Sequence, residues 1–163
     1  PSSYRQKEQR HPTNSSGLCV RRLAAKVACN HAKQISAILL APKQLGFGVA
    51  GGAEAAVRAA RRYLENMESG KLLIKIDFRN AFNTLRRDAV AKHFSELLPF
   101  AISTMGSPSF LQFADYLLQS EEGAQQGDPL GPLYFCLVIK ELLESLRSEL
   151  VMGYLDDITL GDD

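Results

Sequence analysis

Val151-Met152-Gly153-Tyr154-Leu155-Asp156-Asp157-Ile158-Thr159-Leu160 sets two adjacent acids between two short apolar runs. The pattern predicts a β-hairpin with the acids at its tip. Acid pairs in turns ordinarily serve turn chemistry. These two are flanked by apolar strands, where they are poorly solvated and repel each other. Such a pair is costly unless a cation compensates it. Asp156 and Asp157 are therefore candidate metal ligands.

A third acid lies upstream. Residues 71–78 alternate with period two: Leu72, Ile74, Ile76 and Phe78 point one way, Leu73, Lys75 and Asp77 the other. The strand thus ends with Asp77 on its more polar face, a common way to present a metal ligand. Nucleotidyl transfer uses two divalent ions about 3.5–4 Å apart. One activates the attacking 3′ hydroxyl; the other holds the triphosphate and the leaving oxygen. A strand end beside a hairpin tip is an economical source of bridging carboxylates.

Around these acids the chain reads as mixed helix and strand. Asn80-Ala81-Phe82-Asn83 turns the chain into a predicted helix over 85–98, with Thr84 as N-cap and Leu85, Ala89, Phe94, Leu97 and Leu98 inward. Pro99, Gly106, Ser107 and Pro108 interrupt regular structure, and periodicity leaves 110–118 open between strand and helix. Glu121-Glu122-Gly123 turns into Gln125-Gln126-Gly127-Asp128-Pro129, and a largely buried helix is predicted over 132–146. Further upstream, a short helix is predicted within 18–40, with Val20, Leu23, Ala24 and Val27 on one face beside Arg21, Arg22 and Lys26. Another follows Gly51-Gly52 over 53–68, with the stripe Ala53, Ala56, Val57, Ala60, Leu64 and Met67, and Gly70 as its stop. Residues 1–17 read as an irregular, disordered lead-in.

Composition narrows the classes. The chain has 163 residues, 45% of them apolar, enough for one cored domain or one domain and part of another. Overall disorder is excluded. No apolar run approaches the ~20 residues of a membrane span. Cys19, Cys29 and Cys136 are odd in number and form no CxxC pair, so no disulfide framework is expected and the expected setting is intracellular. Cys19, Cys29 and His31 lack a fourth ligand and a zinc spacing. Charge is split: residues 1–70 carry 11 Lys or Arg against 4 Asp or Glu, residues 71–163 carry 8 against 14. The basic half suits phosphates and the acidic half divalent cations.

Lys75-Ile76-Asp77-Phe78-Arg79-Asn80-Ala81-Phe82-Asn83 resembles the first catalytic motif of reverse transcriptases, in the form typical of non-LTR (LINE-type) retrotransposons. Glu122-Gly123-Ala124-Gln125-Gln126-Gly127-Asp128-Pro129-Leu130-Gly131-Pro132 resembles their second motif, and Tyr154-Leu155-Asp156-Asp157 their third, in the same order. Gln44-Leu45-Gly46-Phe47-Gly48-Val49 is similar to the segment joining fingers to palm.

The resemblance implies an α+β fold: a right-hand polymerase palm, with a ferredoxin-like sheet and packed helices, plus part of the fingers. Residues 1–70 would hold the partial fingers and 71–163 the palm with its three motifs, incomplete at the C-terminus. It implies an RNA-directed DNA polymerase that adds dNTPs to a DNA primer on an RNA template, with two Mg²⁺ or Mn²⁺. Asp77 and Asp156 match the main metal ligands, Asp157 a weaker neighbour, and the Phe78 carbonyl a backbone metal contact. Phe82 matches the gate against a ribose 2′ hydroxyl. Gln126 and Gly127 match the lining of the nucleotide site, and Tyr154 a residue beside the primer end. Arg21 and Arg22 fall where the family binds template and triphosphate, without individual assignment. His11-Pro12-Thr13 departs from the family's Arg-Pro-Ile-like triad.

No start methionine is present, and the chain stops just past the third motif. A truncated chain is therefore expected, with thumb and endonuclease parts belonging to a longer protein. An intracellular place in the nucleus or a cytoplasmic ribonucleoprotein follows. The alternative is an inactive retroelement remnant that at most binds nucleic acid. An RNA-directed RNA polymerase is disfavoured by the Asn-Ala-Phe turn and Tyr-Leu-Asp-Asp. Gly161-Asp162-Asp163 is taken as a chance acid pair.

Overall fold

The computed structural model describes residues 15–93, 95–125 and 127–162. Along the chain run α1 (Ser15–Leu40), α2 (Gly52–Asn66), β1 (Leu72–Asp77), α3 (Arg87–His93), a 3-10 turn (Ser95–Leu97), α4 (Leu98–Met105), β2 (Ser109–Phe113), β3 (Tyr116–Ser120), α5 (Gly131–Ser145), β4 (Leu150–Tyr154) and β5 (Asp157–Asp162). Strands β1, β5 and β4 form an antiparallel sheet in that order, and β2 pairs with β3 in a separate hairpin. No helix among the described residues is long and apolar enough to cross a membrane.

The quoted hairpin forms. Tyr154 pairs with Asp157 across the two-residue turn Leu155-Asp156. Strand β1 pairs with β5 from Leu72 opposite Asp162 to Asp77 opposite Asp157. Because side chains alternate, Lys75, Asp77, Asp157 and Thr159 share one face, and Ile74, Ile76, Ile158 and Leu160 share the other.

Helix α5 is the centre of the core. Leu133, Tyr134, Phe135, Cys136, Leu137, Ile139 and Leu143 are all buried. It packs against α1, α3 and β4. Pro132 sits in its first turn, where a missing N–H costs nothing. At its other end the Lys43 ammonium donates to the Leu143 and Leu146 carbonyls at 2.7 and 3.0 Å. A cation there complements the negative end of the helix dipole.

Several expectations are corrected. The first helix is not short: it runs through all of Ser15–Leu40, so residues 15–17 are helical, while 1–14 lie outside the described residues. Nothing helix-breaking intervenes before Pro42. Its buried face is Ala25, Ala32, Ser36 and Leu40, whereas Val20, Leu23 and Val27 are 64–68% exposed. Small side chains let α1 approach α5 closely, so the bulkier apolar face turns outward. Helix α2 repeats this: Val57 and Leu64 are about half exposed. It ends at Asn66, and Gly70 instead serves the turn from Glu68 to Lys71 that enters β1. The predicted helix over 85–98 is two helices joined by a 3-10 turn, with Pro99 in the first turn of α4. Thr84 is no cap; its hydroxyl donates to the Asn80 carbonyl. Phe94 lies outside the described residues. The open stretch 110–118 falls in the β2–β3 hairpin.

The cysteines differ in environment. Cys19 is exposed, Cys29 half-buried and Cys136 buried. Burial pushes the Cys136 thiol up to about 12, and the nearby Asp156 carboxylate adds to the shift. The resulting stabilisation is fully present below the ordinary thiol value of 9 and is lost as pH rises from there toward 12. Thiol-specific labelling of the native chain is expected to modify Cys19 first and Cys136 only on unfolding. Prompt labelling of Cys136 in the folded chain would contradict this packing.

Candidate active site

Three predicted carboxylates come to one end of the sheet. Asp77 closes β1, Asp157 opens β5 directly opposite, and Asp156 occupies the turn beside it. Directly opposed residues have Cβ atoms roughly 4.5–5.5 Å apart, and like charges there are destabilising. The Lys75 ammonium approaches Asp157 at 3.1 Å, from a largely exposed position. An exposed pair of this kind contributes little and relieves only part of the repulsion. The donors are all carboxylate oxygen, which suits Mg²⁺ and Mn²⁺. Among the described residues no three such side chains are drawn into one metal-holding group. The backbone pairing brings the three carboxylates to the same end of the sheet.

The turn carries strain. Leu155 has φ 54°, the left-handed region, which costs a non-glycine residue about 1–2 kcal/mol. Tyr154, beside it, is exposed on the same face as Asp157.

A cavity of about 450 Å³ is lined by Phe82, Asn83, Ala124, Gln125, Gly127 and Asp128, together with the first residues of α5, Gly131 and Pro132. The Phe82 ring lies 5.3 Å from Phe135, tilted by 46°, and Phe78 meets Phe135 edge-on at 5.8 Å. Phe82 is thus both partly packed and cavity-facing. Gly127 has φ 79°, and a Cβ there would lie 2.6 Å from the Arg22 guanidinium. Glycine is needed for the turn and lets Arg22 lie against the cavity wall. Gln126 lies outside the described residues.

Arg21 has other partners. It donates to the Thr104 carbonyl at 3.0 Å and lies 3.9 Å from the buried Asp128 carboxylate. Asp128 also accepts the Leu130 N–H at 2.9 Å, folding the turn that starts α5. Arg21 therefore ties α1 to α4 and to this loop, while Arg22 is the arginine against Gly127.

Arg87 was missed by sequence reasoning. Its guanidinium donates to the carbonyls of Gly123, Ser120 and Glu122 at 3.0–3.2 Å. It fixes the lead-in to the cavity-lining loop from α3. No local pattern marks an arginine whose partners lie over 30 residues downstream in the chain. Hydrogen bonds to charged groups contribute about 1.5–3 kcal/mol each where buried, and less here at a half-buried site. Arg87→Ala is expected to lower the melting temperature and to speed proteolysis within 120–125; an unchanged cleavage pattern would show the loop holds itself.

A family model described as reverse transcriptase (RNA-dependent DNA polymerase) matches residues 18–162, which include every site residue discussed above. The chain belongs to the reverse transcriptase family. No curated protein matches it.

Proposed function

We propose that this chain is the palm, with part of the fingers, of a reverse transcriptase of the non-LTR retrotransposon type, and that it adds dNTPs to a primer 3′ hydroxyl on an RNA template. The observation that carries this reading is the placing of Asp77 opposite Asp157, with Asp156 in the adjoining turn. Opposed like charges at a sheet end are a liability that a divalent cation turns into a binding site. Asp77 and Asp156, with Asp157 and the Phe78 carbonyl in support, would hold two Mg²⁺ or Mn²⁺, which supply an activated 3′ hydroxyl and a neutralised triphosphate.

The chain's own residues do the rest. In this reading Phe82 would stand against the ribose 2′ position and Gly127, with Arg22 beside it, would line the incoming nucleotide; Gln126 enters from the motif match alone. Tyr154 supports the primer end. The direct test is RNA-templated single-nucleotide addition with Mn²⁺ at high primer–template concentration. Template-directed dNMP addition is expected; addition that ignores the template, or none by a folded chain, overturns the reading.

Phe82 gives a separate prediction. Excluding one oxygen atom is a steric task, and a methylene-sized change in such a pocket is worth roughly 10–200-fold in discrimination. Phe82→Ala is expected to raise the use of NTPs relative to dNTPs within that range, read as the ratio of kcat/KM values. An unchanged ratio would assign Phe82 to the core alone.

A further inference from the structure

We infer that Gln44 is a positioning residue that sets the geometry of the Leu155-Asp156 turn and so aims the Asp156 carboxylate. The inference rests on the reading of Asp156 as a metal ligand. It begins with a polar side chain in an apolar place: Gln44 is 1% exposed. A buried carboxamide persists where its donors and acceptors are satisfied.

All of its bonds go to two places. The Oε1 accepts the Leu155 N–H at 2.9 Å, and the Nε2 donates to the Leu155 carbonyl at 3.1 Å. Oε1 also accepts the Gly46 N–H at 2.9 Å. The Leu155 N–H belongs to the peptide before that residue and its carbonyl to the peptide after it. One side chain therefore fixes both peptide planes around the residue whose φ is 54°. Those planes decide the direction in which the next side chain, Asp156, leaves the turn.

The backbone around Gln44 is arranged for this contact. Gln44 bridges to Gly153 in parallel, the Gly153 N–H donates to the Lys43 carbonyl at 2.6 Å, and the Leu45 N–H donates to the Gly153 carbonyl at 2.8 Å. The segment thus meets β4 through one isolated parallel bridge. A Cβ at Gly46 would sit 2.3 Å from the Leu155 nitrogen, so the chain backs directly onto the turn. Only a carboxamide of this length offers a donor and an acceptor together. Methionine fills similar space with neither, and ionised glutamate only accepts.

The experiment compares the full chain with Gln44→Met, Gln44→Glu and, as reference, Asp156→Asn. Hydrogen exchange of the Leu155 amide reads the clamp, and Mn²⁺ titration reads the site. Gln44→Met is expected to speed Leu155 exchange by at least about tenfold relative to Ile158. Mn²⁺ affinity is expected to fall about 10–100-fold, the usual consequence of losing an outer partner of a ligand. If Gln44→Met does not fold, Gln44→Glu carries the test. Its affinity relative to wild type is expected to recover as pH falls from about 8 to about 6, when the buried carboxyl takes a proton and regains a donor.

Unchanged Leu155 exchange in Gln44→Met overturns the clamp. Faster exchange with undiminished Mn²⁺ affinity, while Asp156→Asn abolishes binding, overturns the positioning role but leaves the metal site standing. Undiminished binding in Asp156→Asn overturns the metal reading itself. A Gln44→Glu chain with faster Leu155 exchange and undiminished Mn²⁺ affinity across this pH range also overturns the positioning role.

Discussion

Asp77→Asn is expected to make the metal-free chain slightly more stable and to abolish both its Mn²⁺ binding and its nucleotidyl transfer. The two effects share one cause. Asp77 faces Asp157 across the β1–β5 ladder, and the 3.1 Å approach of Lys75 is made to Asp157. Removing one charge of an opposed pair relieves repulsion of order 0.2–1 kcal/mol, with the lower end applying at this exposed strand end. The same substitution removes a proposed metal ligand. Metal stabilisation of transition-state charge is worth several kcal/mol, and each 1.36 kcal/mol is tenfold in rate, so incorporation falls by about 10³-fold or more.

Thermal melting separates these contributions. Mn²⁺ held by the folded chain alone is expected to raise the melting temperature of wild type by mass action. In Asp77→Asn that rise disappears, and the metal-free melting point sits at or above that of wild type. Asp156→Asn is expected to lose the rise as well. Asp157→Asn loses less, because Lys75 already occupies that carboxylate. An Asp77→Asn chain that melts lower without metal and still responds to Mn²⁺ would remove the basis of the proposed site.

The second large effect is on stability. Leu137 is 0% exposed in the middle of α5. Leu137→Ala removes buried methyl groups and leaves a cavity whose walls belong to the most buried helix of the fold, with little freedom to collapse. Such truncations cost about 2.7–5 kcal/mol. At this chain length each kcal/mol lowers the melting temperature by about 2–4 °C, so a fall of roughly 10 °C is expected. Leu23→Ala in α1 is the control. Leu23 is 66% exposed, and exposed substitutions of this kind stay within about 0.5 kcal/mol. Comparable losses at the two positions would mean that the exposed face of α1 is covered in solution.

That control marks where sequence reading stopped. The hairpin, β1 and α5 were legible because their periods and punctuation agree: alternation in the strands, an unbroken apolar run in the helix, Pro132 at its start. In α2 only Ala56 and Ala60 of the expected stripe are partly buried, and in α1 the larger Val20, Leu23 and Val27 outweigh alanine as candidates for the core. Close packing instead selected Ala25, Ala32 and Ser36. The split of 85–98 was hidden because Pro99 reads as an end although it also begins α4. Among the site residues, acids and Phe82 carry chemistry recognisable by type. Gln44 and Arg87 do not; their roles lie in backbone contacts reached over long sequence separations.

The pairing of β1 with β5 also limits how this sequence tolerates change in length. Residue by residue, Leu72 to Asp77 is matched to Asp162 to Asp157. Deleting or inserting one residue between Leu73 and Ile76 would turn Asp77 to the side now held by Ile74 and Ile76, since a one-step slip exchanges the two faces of a strand. A two-residue change would restore the face but move the acid roughly two strand steps along Asp157's neighbours, about 6–7 Å. The Ala114-Asp115 turn between β2 and β3 faces no such constraint, because no proposed ligand depends on its register. Length variants among related genes should therefore accumulate near that turn and be absent from β1, and a frame-preserving insertion scan would reveal the same asymmetry.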